Sequence, residues 1–266
     1  NQHAADMMDG SSIGTRILVN DGFAIGLMDL PVFKERDIWL SPPNSWDNAG
    51  RQLSTHFGPL VPMINTRAVR SEEEPRSWYD LLDPKWRGQI VVADPRTSTA
   101  MDMLNVVMVE RGTLEKDYFE RLARQQPKLF LGGARGPIEA VLRGEGKITI
   151  TTTSTALFAI AEGGPIKAVS PKEGAVYSPM GITMLNKGPH PNATRVFVNW
   201  LFSQEGAAIY AKARGGMSIR KDVPDWTPEA AKTSLDKINV MTPEESDRAS
   251  KSREAGILFN ILSAAR

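Results

Sequence analysis

The sequence predicts an α/β protein built from two lobes, and three observations support this prediction. Short apolar runs of strand length alternate with amphipathic helical patterns, which is typical of a parallel or mixed sheet covered by helices. The chain has 266 residues, 41% of them apolar and 24% charged, which suits one large domain or two lobes of ordinary size. Two proline-containing, strand-like segments, 56–66 and 176–187, bracket the most regular strand–helix run. They suggest a chain that crosses into a second lobe and returns.

Composition excludes several other classes of protein. The 32 basic residues nearly balance the 31 acidic ones, and lysines or arginines never exceed two in a row, so a nucleic-acid partner is not expected. No apolar run approaches the roughly 20 residues of a membrane span. The absence of cysteine rules out disulfides, thiolate catalysis and cysteine-bound metal sites. We therefore expect a globular protein without a cofactor.

Three strand–loop–helix units follow one another in the middle of the chain. The first is the apolar run QIVVA (89–93), the loop RTST (96–99) and a helical face that ends at Gly112. In the second, KLF leads through GGARG to a helix that we expect to begin at Pro137. In the third, KITIT leads through the loop TTST (152–155) to ALFAIAE. These units predict neighbouring parallel strands.

Two further helices are predicted from their capping signals. Asn192 is expected to cap a helix whose apolar face, including Phe197 and Trp200, is buried in the core. Thr242, followed by proline and two glutamates, is expected to open a terminal helix that reaches toward Ala265.

The strand-to-helix loops supply the candidate ligand-binding residues. In open α/β sheets, ligands bind outside the carboxyl ends of the strands, next to helix N-termini that favour anions. Each loop alone is consistent with an ordinary helix cap, Arg135 with a surface residue and Tyr177 with a strand aromatic, but the surplus of hydroxyl groups points to a polar pocket. The candidates are Ser11 and Ser12 in DGSS (9–12), Thr97, Ser98 and Thr99 in RTST, Arg135 in GGARG, Thr153 and Ser154 in TTTST, and Tyr177.

An enzymatic alternative rests on one motif near the start of the chain. Gly10-Ser11-Ser12-Ile13-Gly14 matches the nucleophile elbow G-x-S-x-G and would make Ser12 the nucleophile of a serine hydrolase. Such an elbow follows a buried strand of a largely built sheet, whereas nine residues precede Gly10. The three histidines have no second histidine or carboxylate at metal-ligand spacing. We therefore expect neither catalytic residues nor a metal site.

Three segments of the chain resemble the extracellular solute-binding proteins of ABC importers, within the branch of ferric-iron, phosphonate and polyamine binders. The segments are SWYDLLDPKWRGQIVVADPRTSTA, VLRGEGKITITTT and GPHPNATRVFVNWLFSQEGAAIYAK. The resemblance runs from about Ala5 to about Val223. It implies a type II periplasmic-binding-protein fold with mixed sheets and hinge-crossing strands, whose two lobes clamp a ligand.

The resemblance also implies the setting in which the protein acts. It would be a periplasmic, or extracellular and membrane-tethered, monomer without enzymatic activity that delivers its solute to an ABC permease in the inner membrane. The hinge is expected near 62–66 and 179–187, and the first strand–helix–strand unit of the family is expected to be missing from the chain as given. The predicted lobes comprise 1–62 with 183–222, and 63–182 with 223–266.

The expected ligand is a small polar anion such as a phosphonate, a phosphate ester or a carboxylate. Hydroxyl-rich loops with Arg135 as the counter-charge suit such an anion. Iron binders of the family carry adjacent tyrosines, whereas Tyr79, Tyr118, Tyr177 and Tyr210 are all separated in this chain. A ferric-iron binder of the same family remains the alternative, as does a sensor or chaperone-like receptor on the same fold.

Overall fold

The computed structural model describes residues 5–35, 37–40, 47–234 and 236–264. The chain divides into two compact units, here called unit 1 (Asn1–Gly58 with Ser178–Trp226) and unit 2 (Pro59–Tyr177 with Thr227–Arg266). These borders lie four or five residues from the lobe borders expected from the sequence, which were placed after 62, 182 and 222.

The strands of both units are short. In chain order, within the described ranges, they are β1 (Met7–Ser11), β2 (Ala24–Ile25), β3 (Leu53–Phe57), β4 (Leu60–Asn65), β5 (Ile90–Ala93), β6 (Lys128–Phe130), β7 (Ile148–Thr152), β8 (Ile166–Ala168), β9 (Ala175–Tyr177), β10 (Met180–Leu185), β11 (Met217–Ser218) and β12 (Ile238–Val240).

The α-helices alternate with these strands in unit 2 and cover the sheet of unit 1. They are α1 (Ser12–Asn20), α2 (Ala100–Leu104), α3 (Tyr118–Ala123), α4 (Arg135–Leu142), α5 (Thr153–Ala161), α6 (Pro191–Leu201), α7 (Gln204–Arg214), α8 (Pro243–Glu254) and α9 (Ile257–Ser263). A π-helical stretch, Asn105–Val109, continues α2. Short 3₁₀ turns lie at Pro31–Phe33, Ser71–Glu73, Trp78–Leu82, Pro84–Trp86 and Glu229–Ala231. Within the described ranges, every helix is too short or too polar to cross a lipid bilayer.

The sheet of unit 2 is mixed, as the alternating pattern predicts. Its strand order is β12-β9-β4-β7-β5-β6, with β8 paired to β4. Strands β7, β5 and β6 are parallel to one another, and β4 runs antiparallel to both β7 and β9. The carboxyl ends of β5, β6, β7 and β9 therefore meet at one edge of the sheet, which we call the loop edge. This arrangement confirms the predicted mixed α/β fold class.

The sheet of unit 1 is antiparallel throughout, with the order β1-β10-β3-β11 and β2 added to β10. Here the prediction of a DGSS loop over 9–12 is wrong, because Asp9, Gly10 and Ser11 continue β1. Their backbone groups pair with β10, in which Gly181 lies opposite Gly10. The partner strand is about 170 residues away in sequence, so the local pattern gave no sign of the pairing.

Each segment predicted as a hinge-crossing strand contains two strands, one in each unit. Gly58 and Pro59 separate β3 from β4, and Ser178 and Pro179 separate β9 from β10. Proline lacks the amide hydrogen that a strand ladder uses, which explains a break at these positions. The predicted hinge ranges need correction, because β4 lies wholly in unit 2 and β10 wholly in unit 1.

Helix α6 turns a different face to the core from the one predicted. Phe197 and Trp200 were expected to be buried, but they are 41% and 38% exposed, and Val196 is 71% exposed. The helix carries apolar residues on two faces, and the face that packs into the core of unit 1 contains Val198 and Leu201. Helical periodicity alone does not distinguish two apolar faces of similar width.

Three helix boundaries also differ from the predictions. Helix α4 begins at Arg135 rather than at Pro137. His190, not Asn192, precedes the first helical residue of α6. The predicted terminal helix is two helices, because Gly256 adopts a left-handed conformation with φ of 66° between α8 and α9.

Candidate functional site

Most of the candidate residues lie at the loop edge of unit 2. Residues 94–99 follow β5, residues 131–134 follow β6, and α5 follows β7 directly. Because β6, β5 and β7 are parallel neighbours, these three connections are adjacent along the edge. The loop edge thus contains the hydroxyls of residues 97–99, the first turn of α5, and Arg135 at the start of α4.

Asp94 organises the loop that follows β5. Its backbone carbonyl accepts hydrogen bonds from the amides of Thr97 (2.8 Å) and Ser98 (3.1 Å). Its carboxylate is buried and accepts two hydrogen bonds from the Arg96 guanidinium, at 3.0 and 2.7 Å, and one from the Arg96 amide at 2.9 Å. This bidentate pair raises the pKa of Arg96. The loop is therefore a tight turn with a defined shape.

The hydroxyl groups of this loop have local partners that leave some hydrogen-bonding capacity unused. Thr97, which is exposed, donates through Oγ1 to the Asp94 carbonyl at 3.1 Å. The Ala100 amide donates to Ser98 Oγ at 3.3 Å, so the hydroxyl hydrogen of the half-buried Ser98 remains available to a ligand. Thr99 Oγ1 lies 3.9 Å from Met103 Sδ.

The hydroxyl cluster at the start of α5 is a helix cap, and the prediction of a loop over 152–155 is wrong. Thr152 caps the helix and accepts a 3.4 Å hydrogen bond from the Thr155 amide. Its hydroxyl is also 3.0 Å from Ser154 Oγ and 2.7 Å from Thr155 Oγ1. Thr153 and Ser154 lie inside the first helical turn and are buried. The hydroxyls of Thr152, Ser154 and Thr155 therefore bond to one another.

Arg135 is an exposed cation at the loop edge. Its guanidinium carbon lies 5.9 Å from the centre of the Phe158 ring, on the neighbouring helix α5. Among the described residues, no carboxylate forms an ion pair with it. Arg143, at the other end of α4, shows the contrast, because Glu145 binds its Nε at 2.6 Å. Arg135 therefore has an unneutralised charge.

The remaining candidates differ from the group at the loop edge. Tyr177 ends β9 at that edge, but its side chain is buried, with 1% exposed, so it does not reach the surface there. Ser11 belongs to unit 1 and caps α1, since the Gly14 amide donates to its Oγ at 3.3 Å. Ser12 is the first residue of α1. Contacts of Ser11 and Ser12 with a ligand stay a prediction.

Sequence reasoning missed two residues that shape the site. The first is Asp94, which was not singled out, although an aspartate directly before the hydroxyl loop is typical of a turn residue. Phe259, in α9, lies with its ring centre 3.9 Å from the guanidinium carbon of Arg96. No sequence signal connects positions so far apart in the chain.

The described residues contain no group of three or more histidine, cysteine or acidic side chains that could hold a metal ion. His56 is buried in β3, and burial together with the charge of Arg214 lowers the pKa of its imidazole to about 4. Tyr118 is fully buried and donates a 3.0 Å hydrogen bond to the Trp78 carbonyl. Burial raises the pKa of this phenol, which opposes metal binding as a phenolate.

The comparison with protein families identifies the class of protein that this fold serves. A family model described as bacterial extracellular solute-binding protein matches residues 14–239, so the chain belongs to that family. The resemblance seen in the sequence is thereby confirmed.

Solved structures and one curated relative show what the chain is similar to. AfuA from Actinobacillus pleuropneumoniae, described with exogenous fructose-6-phosphate bound, is 20% identical with a TM-score of 0.73, covering 98% of this chain and 82% of AfuA. Iron-bound HitA from Pseudomonas aeruginosa is 19% identical with a TM-score of 0.74, covering 98% and 83%. Iron uptake protein A1 of Synechocystis is 25% identical over 207 residues, covering 67% of this chain and 54% of that protein.

These likenesses confirm the two-lobe periplasmic-binding-protein fold. The chain spans about half the length of the curated relatives it matches.

Proposed function

We propose that the chain is the solute-binding component of an ABC import system and that it binds a small organic anion at the loop edge of unit 2. The anion would be a phosphonate, a phosphate ester or a carboxylate. Membership of the solute-binding family supports the binding role, and the composition of the loop edge supports the charge of the solute.

The observation that carries this proposal is the unneutralised charge of Arg135. A guanidinium is a planar donor that binds carboxylate and phosphate oxygens through two parallel hydrogen bonds. Its neighbours along the loop edge include hydroxyl and amide groups, which are neutral hydrogen-bond donors, and the charges of Arg96 and Asp94 there neutralise each other. An anion at this edge would receive one charged contact and several neutral ones.

Two helix ends strengthen the same preference. Helix α4 begins at Arg135 itself, and α5 begins at Thr153 on the neighbouring strand. The amides of a first helical turn lack partners within the helix and carry a partial positive charge. In α5 the Thr153 amide donates to the Pro59 carbonyl and the Thr155 amide to Thr152 Oγ1, so the positive helix end acts there mainly through its charge. Together with Ser98, the two helix ends favour an anionic solute over a cationic one such as a polyamine.

The remaining parts of the proposal follow the family. The protein would act in the periplasm as a monomer, would catalyse no reaction, and would deliver the solute to a membrane permease. AfuA, whose structure is described with a sugar phosphate, supports a phosphate ester as one ligand class.

Ferric iron is a second candidate, because HitA is described as iron-bound and another relative as an iron uptake protein. Iron(III) favours oxygen ligands such as phenolates and carboxylates. In this chain Tyr118 and Tyr177 are buried, at 0% and 1% exposed, and the four tyrosines are separated in sequence. We therefore favour a small organic anion over ferric iron as the ligand.

A thermal-shift panel tests the proposal. The panel contains phosphonates, phosphate esters, carboxylates, polyamines and ferric citrate, with sodium citrate as the control for iron. A ligand at 100 times its dissociation constant adds roughly 2.7 kcal/mol to the free energy of unfolding, which raises the melting temperature by several degrees. We expect an anion to produce this shift. A shift with ferric citrate and with no anion would favour the iron binder instead.

A further inference from the structure

We infer that the C-terminal helices α8 and α9 hold the 94–99 loop in its binding conformation, and that Phe259 is the residue through which they do so. This inference rests on the proposed function of the loop edge. It assigns a role to the last part of unit 2, which lies beyond residues 14–239 matched by the family model.

Helix α8 is fixed along α2 and its π-helical continuation by three polar contacts. Glu245 binds the Arg111 guanidinium at 2.6 and 2.5 Å, and Arg248 binds Glu110 at 2.9 Å. Ser252 donates a 2.6 Å hydrogen bond to Asp102. The partners of α8 run from position 111 back to position 102, so α8 is antiparallel to this stretch and leads toward the loop.

Helix α9 then extends this path to the loop itself. Gly256 ends α8 and precedes α9 in a left-handed conformation, and Leu258 and Leu262 are buried in unit 2. Phe259 lies on the same helix, half-buried, with its ring centre 3.9 Å from the guanidinium carbon of Arg96. The anchored helix therefore fixes where this ring is placed.

The ring acts on the loop through Arg96 and Asp94. A guanidinium over an aromatic face is attracted to the ring, and the ring also excludes water from one side of the ion pair. In that ion pair the Arg96 guanidinium binds the Asp94 carboxylate. The backbone carbonyl of Asp94 accepts hydrogen bonds from the amides of Thr97 and Ser98. A chain of contacts thus runs from the ring to the amides of the candidate site.

Phe259 is a positioning residue rather than a ligand contact. Its ring contacts the side chain of Arg96, which is itself bound to Asp94. Removing the ring should loosen the turn without removing any hydrogen-bond donor from the loop edge.

Amide hydrogen exchange on the free protein tests the inference without any ligand. In Phe259→Ala, the amides of Thr97 and Ser98 should exchange about two- to fivefold faster, the equivalent of one partly exposed cation–π contact. Phe259→Trp keeps an aromatic face and should retain the wild-type rates. Ile257→Ala, which changes an exposed side chain of the same helix (48% exposed), is the matched control and should also retain them.

Two results would overturn the inference. One is an unchanged exchange rate at residues 96–99 in Phe259→Ala. The other is a faster exchange spread evenly over unit 2, which is the pattern expected for Leu258→Ala, because that variant opens a cavity in the core.

Calorimetry with fructose 6-phosphate and phenylphosphonate then separates this inference from the proposed function. If wild type binds either probe, Phe259→Ala should bind it about two- to fivefold more weakly, and Phe259→Trp should bind it normally. If wild type binds neither probe or any other anion of the panel, while exchange at residues 96–99 still increases in Phe259→Ala, the proposed function fails and the control of the loop by α9 stands.

Discussion

Ser252 donates a 2.6 Å hydrogen bond to the carboxylate of Asp102, and this bond joins two helices that lie 150 residues apart in the sequence. The aspartate is fully buried, and its second oxygen, Oδ2, has no hydrogen-bond partner within the described part of the chain. Burial raises the pKa of this carboxyl to about 6, against the opposing effects of the Ser252 hydrogen bond and the Arg253 charge. The pair therefore makes stability depend on pH.

Asp102→Asn should stabilise the protein at pH 8 but not at pH 4. The folded-state pKa is raised above the unfolded value of 3.8, so folding favours the protonated form and wild type loses stability as the pH rises from about 4 through about 6. Asparagine does not ionise, and its side-chain oxygen still accepts the hydrogen bond from Ser252 Oγ. Urea unfolding should show a gain of about 1–3 kcal/mol at pH 8 that disappears by pH 4.

The matched control for this prediction is Asp117→Asn, in which the carboxylate is 61% exposed. This variant should follow wild type within about 0.5 kcal/mol at both pH values. A difference between Asp102→Asn and wild type that is the same at pH 4 and pH 8 would contradict the account of the buried carboxyl.

The two valines of α6 should differ sharply in their contribution to stability. Val198 is fully buried, so Val198→Ala should lower the free energy of unfolding by roughly 1–3 kcal/mol through lost burial and an unfilled cavity. Val196 is 71% exposed, so Val196→Ala should change it by less than about 0.5 kcal/mol. The measurement is chemical denaturation. Equal losses of unfolding free energy in the two variants would contradict the burial of Val198 and the exposure of Val196 in α6.

Ser98→Ala should weaken anion binding, because its hydroxyl hydrogen is available at the loop edge. Loss of a hydrogen bond to a charged group costs about 1.5–3 kcal/mol, or roughly a 10- to 100-fold change in the dissociation constant. Ser71→Ala is the control, since Ser71 is an exposed serine of unit 2 in the turn after β4, away from the loop edge. Calorimetry that gives wild-type affinity for Ser98→Ala would remove this serine from the site.

Much of the fold was predictable because its signals are local. Residues 90–93 are apolar throughout, and the strand that they form is buried on both faces. Prolines mark the points at which the chain passes between the units, although the prediction placed the borders a few residues away. Hydroxyl-rich loops after parallel strands led to the loop edge because parallel strands end on the same side of a sheet.

The errors concern features that depend on partners distant in sequence. The strand character of Asp9 to Ser11 comes from pairing with β10, and the choice between the two faces of α6 comes from the core that it meets. The contact of Phe259 with Arg96 also joins positions far apart in the chain. The hydroxyls of Thr152 and Ser154 are a local exception, because they are two residues apart and bond to each other at the start of α5.

The most direct test of the central claim is calorimetry of Arg135→Ala beside Arg87→Ala. Arg87 is also an exposed arginine of unit 2, but it precedes β5, so it lies at the opposite edge of the sheet from the loop edge. For an anion identified in the panel, Arg135→Ala should weaken binding at least 10- to 100-fold, by roughly 1.5–3 kcal/mol or more, and Arg87→Ala by less than about twofold. Equal affinities in wild type and Arg135→Ala would contradict an anion site at the loop edge.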